Sequence, residues 1–178
     1  ITHWMRVGFI HGVMNTDNMA ISGQTIDYGP CAFMDAFAEN TVFSSIDREG
    51  RYSYANQPLI TGWNLARLAE ALLPLIHQNG DTAIIMAEEK LKNFRPLYQQ
   101  KWLAMMRQKL GLFGQKNEDE TLANDILSWM EHNNADFTNT FRDLSHAELP
   151  KNDVYKQKDF LTWHKRWQER LAQNTEPL

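Results

Sequence analysis

Cysteine is nearly absent from this chain: Cys31 is the single one in 178 residues. An internal disulfide is therefore excluded, and a reducing compartment is expected. Positive charge is also short. The 18 Lys and Arg are outnumbered by 22 Asp and Glu, for a formal net charge of −4, and no basic stripe gathers anywhere, which argues against a nucleic-acid partner. No apolar run reads as long as a membrane span and no signal peptide opens the chain, so no membrane is expected among the partners. Internal repeats and low-complexity tracts are missing. His3, His77, His132, His146 and His164 lack metal-ligand spacing, and Cys31 has no H-x-E or C-x-x-C companion. Zinc and thiol chemistry are thus poor readings.

What is present is material for a helical core. Hydrophobic residues make up 43% and aromatics 11%, with six Trp, which suits helices packed on one another. The length suits one domain or part of a larger one. Trp4, Val7, Phe9 and Ile10 supply a short first helix. Met19-Ala-Ile21 and Gln24-Thr-Ile26 predict two short strands across Ser22-Gly23. Residues 30–51 read as mostly irregular. From Asn56 on, helices dominate. Trp63, Ala66, Leu68, Ala69, Leu72, Leu73 and Ile76 trace a wide apolar face of the kind a buried helix carries. Asn79-Gly-Asp81 ends that helix, with Asp81 the expected cap of the next. The next runs from about Thr82 toward Leu110, and Pro96 should kink or split it. Further helices open at Asn117-Glu-Asp-Glu120, near Asn139 to Leu144, and at Asp153; Phe160, Trp163, Trp167 and Leu171 form the stripe of the last.

The most specific feature is His11-Gly-Val-Met-Asn-Thr-Asp-Asn18, followed by Thr25-Ile-Asp-Tyr-Gly-Pro30. Its spacing matches the H-R-D-x-x-x-x-N and D-F-G elements of protein kinases. In that pattern the Asn and the D-F-G Asp hold magnesium, and the first Asp accepts the proton of the substrate hydroxyl. Asn18 falls on the metal Asn, and Asp27-Tyr-Gly29 falls on D-F-G. Val13 falls on the catalytic Asp and cannot take a proton. A metal site without the usual base argues for nucleotide chemistry other than ordinary phosphorylation, or for none. Two readings stand for Asp17: a replacement carboxylate at the other end of the loop, or a turn residue bonded to backbone. His11 reads as structural, bonded to a backbone carbonyl. Asn15 and Thr16 read as loop-shaping. No glycine-rich loop or strand lysine precedes the motif, and the chain opens on Ile1 rather than Met, so the expectation is a fragment of a longer protein.

These residues resemble the selenoprotein O family. The similarity continues through Phe33-Met-Asp35, Tyr54-Ala-Asn-Gln-Pro58 and Trp63-Asn-Leu-Ala-Arg-Leu-Ala-Glu-Ala-Leu-Leu-Pro-Leu75, and is dense over residues 4–76. The resemblance implies a protein-kinase-like fold. It implies ATP bound in a flipped orientation and transfer of AMP, not phosphate, to hydroxyl side chains of proteins. By matched motif it makes Asn18 and Asp27 the metal ligands, Asp27 also a nucleotide contact, and Asp17 the active-site carboxylate. The family's N-terminal lobe, with its nucleotide-clamping lysine and arginines, has no counterpart here. Nor has its C-terminal redox-active cysteine or selenocysteine.

The expectation is therefore a mainly α chain with a short β-hairpin, the C-terminal lobe of a kinase-like fold. Residues 1–55 would carry the catalytic loop and metal site, and 56–178 a helical subdomain. Mg2+ or Mn2+ would be the cofactor, ATP the nucleotide, and proteins bearing Ser, Thr or Tyr the substrates, in a bacterial cytoplasm. The fragment alone would be inactive. Rival readings are a conventional phosphotransferase, against which Val13 speaks, and a non-catalytic nucleotide-binding scaffold, against which both metal ligands speak.

Overall fold

The structure, a computed structural model, describes residues 1–174. It is mostly helical with one two-stranded antiparallel sheet. Helix α1 (Thr2–Val7) is shorter than the apolar pattern suggests. Gly8 ends it in the left-handed conformation, φ 69°, and donates its N–H to the Trp4 carbonyl. A Cβ at Gly8 would lie 3.0 Å from the Phe137 ring, so both conformation and space demand glycine. Past that break Phe9 and Ile10 are strand, not helix. They form β1 (Phe9–Ile10), paired with β2 (Ala32–Phe33) in the register Phe9 to Phe33 and Ile10 to Ala32.

The predicted strands at 19–21 and 24–26 reduce to one isolated bridge, Met19 with Thr25. Ile21 at the tip is 85% exposed and Ile26 38%. With no second layer to bury their side chains, nothing extends the pairing. The sheet instead closes around the whole motif loop, residues 11–31. Residues 34–53 are turns and extended chain, as expected.

A 3-10 turn (Tyr54–Asn56) leads into α2 (Gln57–Ile76). Here the structure corrects two expectations. Tyr54–Ile76 is long and apolar enough to cross a membrane by length and composition, with mean hydropathy 1.2, although only 17% of that window is buried. The predicted apolar face is also not buried: Trp63 is 41% exposed and Leu72 39%, and the other five residues of that face are only half-buried. The buried residues of α2 are Gln57, Ile60 and Asn64. Two of the three are polar, because that side of the helix faces backbone groups of the motif loop that need partners.

Helix α3 (Gly80–Leu91) is capped by Asn79, whose Oδ1 accepts the Thr82 N–H at 2.9 Å; Asp81 sits in the first turn and does not cap. The long helix splits as Pro96 requires. It restarts after Asn93 as α4 (Phe94–Lys109), where Pro96 occupies the first turn and needs no N–H bond. Then come α5 (Asp119–His132), α6 (Phe137–Leu144) capped by Asp136, a 3-10 turn (Asp153–Lys156) and α7 (Lys158–Leu171). Phe160, Trp163 and Trp167 are buried as the stripe predicts. Trp163 Nε1 donates to the Leu122 carbonyl and Trp167 Nε1 to that of Leu110, each at 2.9 Å.

One hydrophobic cluster runs from Met5, Ile10, Met34 and Phe37 at the motif end to Trp129, Phe160 and Trp163 at the helical end. Lys109, on α4, donates to the Arg6 carbonyl at 2.8 Å and lies 4.1 Å from the Phe141 ring centre. Tyr54 donates its hydroxyl to the Met5 carbonyl at 2.7 Å. The helical body thus grips α1, and α1 delivers the chain into the motif.

Candidate functional site

The motif loop is held from below by buried hydrogen bonds. His11 is fully buried. Its Nε2 donates to the Ile26 carbonyl at 2.7 Å, and its ring stacks on Trp4 at 5.3 Å. Nδ1 then faces the Val13 N–H, an arrangement that assigns the proton to Nε2. His11 is therefore structural, bonded to a carbonyl as expected, and the carbonyl it holds belongs to the residue before Asp27. Gly12 has φ 83°, and a Cβ there would lie 3.0 Å from Pro30. The start of the motif and the end of D-Y-G-P are thus in contact.

Two residues of α2 complete the support. Gln57, fully buried, accepts the His11 N–H at 3.0 Å and donates to the Phe9 carbonyl at 2.9 Å. Asn64, one turn beyond Ile60 on the same face, donates to the Met14 carbonyl at 2.9 Å. The motif reading did not assign these roles. The available signal was two uncharged polar residues at helical spacing within an apolar helix, where a buried amide must find a partner. Tyr52, also unforeseen, donates its hydroxyl to Asn15 Oδ1 at 2.5 Å, so Asn15 shapes the loop.

Above this base stand the candidate chemical groups. Thr16–Asn18 form a 3-10 turn. Asn18 Nδ2 donates to the Val13 carbonyl at 3.0 Å. That bond orients the amide and leaves Oδ1 without a hydrogen bond among the described residues. Asp27 is exposed and has φ 55°, a left-handed conformation uncommon outside glycine. Gly29 donates its N–H to the Asp27 carbonyl at 2.9 Å. Asp17 is exposed at the loop tip. The Met19–Thr25 bridge brings the two arms together. Asp17 and Asn18 lie just before that bridge in the chain, and Asp27 lies two residues after it.

The donor set is one amide oxygen and carboxylates, all hard oxygen ligands. Among the described residues no group of three His, Cys, Asp or Glu is placed to hold a metal. Such a sparse set suits a cation that keeps waters and takes phosphate oxygens for its remaining positions. Val13, half-buried at the base of the loop, offers only its backbone.

A family profile described as "Protein adenylyltransferase SelO" matches residues 1–177. The chain belongs to the SelO family. Among its relatives, the "Protein nucleotidyltransferase YdiU" of Nitrosococcus oceani is 61% identical over all 178 residues, which cover 36% of that protein. The protein of the same description from Alcanivorax borkumensis is 58% identical, with 37% of it covered. That of Alkaliphilus metalliredigens is 54% identical over 99% of this chain and 36% of its own length. This SelO-family chain thus spans little more than a third of the relatives it matches. Within that third lie the motif loop, its His11–Gln57–Asn64 support and the helical body.

Proposed function

We propose that the protein to which this chain belongs transfers AMP from ATP to Ser, Thr or Tyr hydroxyls of other proteins, and that this chain is the C-terminal lobe of a kinase-like fold. One observation carries the reading: the Asn18 amide is oriented by the Val13 carbonyl with its Oδ1 unbonded among the described residues, in the motif that also holds Asp27, while the usual base position is Val13. The family descriptions, adenylyltransferase and nucleotidyltransferase, point the same way.

Asn18 Oδ1 and the Asp27 carboxylate would hold Mg2+ or Mn2+. The ion supplies charge stabilisation to phosphoryl oxygens. The chain's own residues do the rest. The substrate hydroxyl oxygen bonds to the α-phosphorus as the bond from that phosphorus to pyrophosphate breaks. The hydroxyl proton passes to a carboxylate, and Asp17, exposed at the loop tip, is the group proposed to take it. Presenting the α-phosphate rather than the γ-phosphate to the loop explains why an Asp at position 13 is dispensable. Gln57, His11 and Asn64 keep the loop backbone in place while this happens.

The test uses the full-length protein with ATP labelled at the α- or the γ-phosphate, and Asp27→Ala as control. Label from the α-position alone, lost in the variant, is the expected result. Label from the γ-position alone would mean a kinase that works without Asp at position 13. No label from either, with ATP still bound, would leave a nucleotide-binding scaffold.

A further inference from the structure

We infer that Tyr52 is a positioning residue for the proposed transfer: through Asn15, its hydroxyl fixes the 3-10 turn that carries Asp17 and Asn18. The inference rests on the function proposed for that turn. Tyr52 makes no hydrogen bond to Asp17, Asn18 or Asp27 among the described residues, so it acts on them through Asn15.

The motif loop is fastened unevenly. Its first half is held from outside, where Gln57 accepts the His11 N–H and Asn64 donates to the Met14 carbonyl. Beyond Met14 that support stops. Asn15, Thr16 and Asp17 are exposed and Asn18 is half-buried. Bonds within the turn are local. The Asn18 N–H donates to the Asn15 carbonyl at 3.0 Å, and the Met19 N–H to that of Thr16 at 3.4 Å. A lone 3-10 turn has poor hydrogen-bond geometry and holds itself weakly. Among the described residues, the Tyr52 hydroxyl supplies the one hydrogen bond that reaches residues 15–18 from outside residues 11–31.

Asn15 is committed to this bond. It occupies the N-cap position of the turn, where an Asn side chain ordinarily accepts an N–H of the first turn. Here it makes no such cap bond, and its Oδ1 accepts from Tyr52 at 2.5 Å instead. Tyr52 in turn stands on a fixed base. The Asp47 carboxylate accepts the N–H groups of Arg51 and Tyr52, each at 2.8 Å. The Arg51 guanidinium lies 5.7 Å from the Tyr52 ring centre and 4.9 Å from that of Trp63 on α2. Ser53 and Tyr54, which follow, are buried, and Tyr54 is bonded to Met5. A shift of the turn by about 1 Å would suffice to slow an in-line transfer by up to about 100-fold.

The experiment compares the full-length protein with its Tyr52→Phe, Asn15→Ala and double variants. Phenylalanine keeps the ring and loses only the hydroxyl. Transfer of AMP from α-labelled ATP to a general protein acceptor gives kcat and KM. Hydrogen exchange reads the amides of residues 16–19 without reference to activity. Each single variant should lower kcat on the order of 10-fold, with KM for ATP within about threefold. The urea midpoint should not move, and residues 16–19 should exchange faster. The double variant should be no worse than either single one, because both remove the same bond. Full kcat in Tyr52→Phe would overturn the inference, as would unaltered exchange or losses that multiply in the double variant. A kcat that falls together with the urea midpoint would make Tyr52 merely structural and also overturn it. Should one variant fail to fold, the other breaks the bond from its opposite partner. A wild-type protein that transfers no AMP would sink the proposed function and this inference with it. Wild-type transfer with an unimpaired Tyr52→Phe would sink the inference alone.

Discussion

Gln57 carries more structure than any other side chain near the loop. It joins the His11 N–H to the Phe9 carbonyl, across sequence separations of 46 and 48 residues. Gln57→Leu would leave two buried backbone groups without partners. The expected cost is about 2–4 kcal/mol, at roughly 1–2 for each unsatisfied group, read from urea unfolding of the full-length protein. Asn15→Ala removes an exposed bond and should change stability by no more than about 0.5 kcal/mol. Equal effects for the two would show that the buried clamp is not what holds the loop. Asp27 presents a different problem. Its left-handed backbone, φ 55°, is tolerated by Asp and Asn better than by Ala. Asp27→Asn therefore belongs beside Asp27→Ala, because it removes the charge without adding backbone strain.

Helices α4, α5 and α7 meet at Asp119. Its carboxylate is buried and accepts from Arg107 Nε at 2.6 Å and from Arg170 Nε at 2.7 Å. Burial by itself would raise its pKa. The bonds from Arg170, the Lys116 N–H and Arg107 outweigh that and hold it below the usual carboxylate value. A folded-state pKa below the unfolded one contributes stability that is complete above the unfolded value. It is lost as pH falls through the folded value. Unfolding free energy should therefore drop with acid below about pH 4, the unfolded Asp range. Asp119→Asn should cost about 3–5 kcal/mol at neutral pH by leaving the buried Arg170 guanidinium, and the half-buried Arg107 beside it, uncompensated. It should also flatten the acid limb. Urea titrations at pH 7 and between pH 4 and 2 check both. An unchanged acid limb in the variant would place the acid-sensitive group elsewhere.

The whole molecule is well packed on one side and open on the other. Aromatic residues close the core among α4, α5 and α7, whereas α2 leaves Leu72, Leu75 and the groove beside Asn64 uncovered. Asn18, one of the candidate metal ligands, lines that groove. Under the proposed function, such a chain supplies the catalytic loop and leaves the nucleotide to be clamped by polypeptide outside residues 1–178. The 178 residues by themselves are expected to bind ATP weakly and to transfer no AMP. Robust α-label transfer by this chain alone, measured on a general protein acceptor, would contradict that expectation.

Family membership was legible from residues 11–30, because the motif is local and specific. The bond from His11 to a backbone carbonyl was legible in the same stretch, since its partner Ile26 lies within it. The split before Pro96 and the stripe of Phe160, Trp163 and Trp167 were legible for the same reason, since each depends on a few neighbouring residues. The end of α1 at Gly8 and the pairing of Phe9 with Phe33 were not. There, local apolar pattern continues the helix, and only the close approach of Phe137 and a distant strand decide otherwise. Helix α2 shows the division most clearly. Its sequence determined that it is a long apolar helix. Tertiary structure alone decided that its buried side is Gln57, Ile60 and Asn64, because unpaired backbone groups of the motif loop bind amides more strongly than that contact rewards burying leucine.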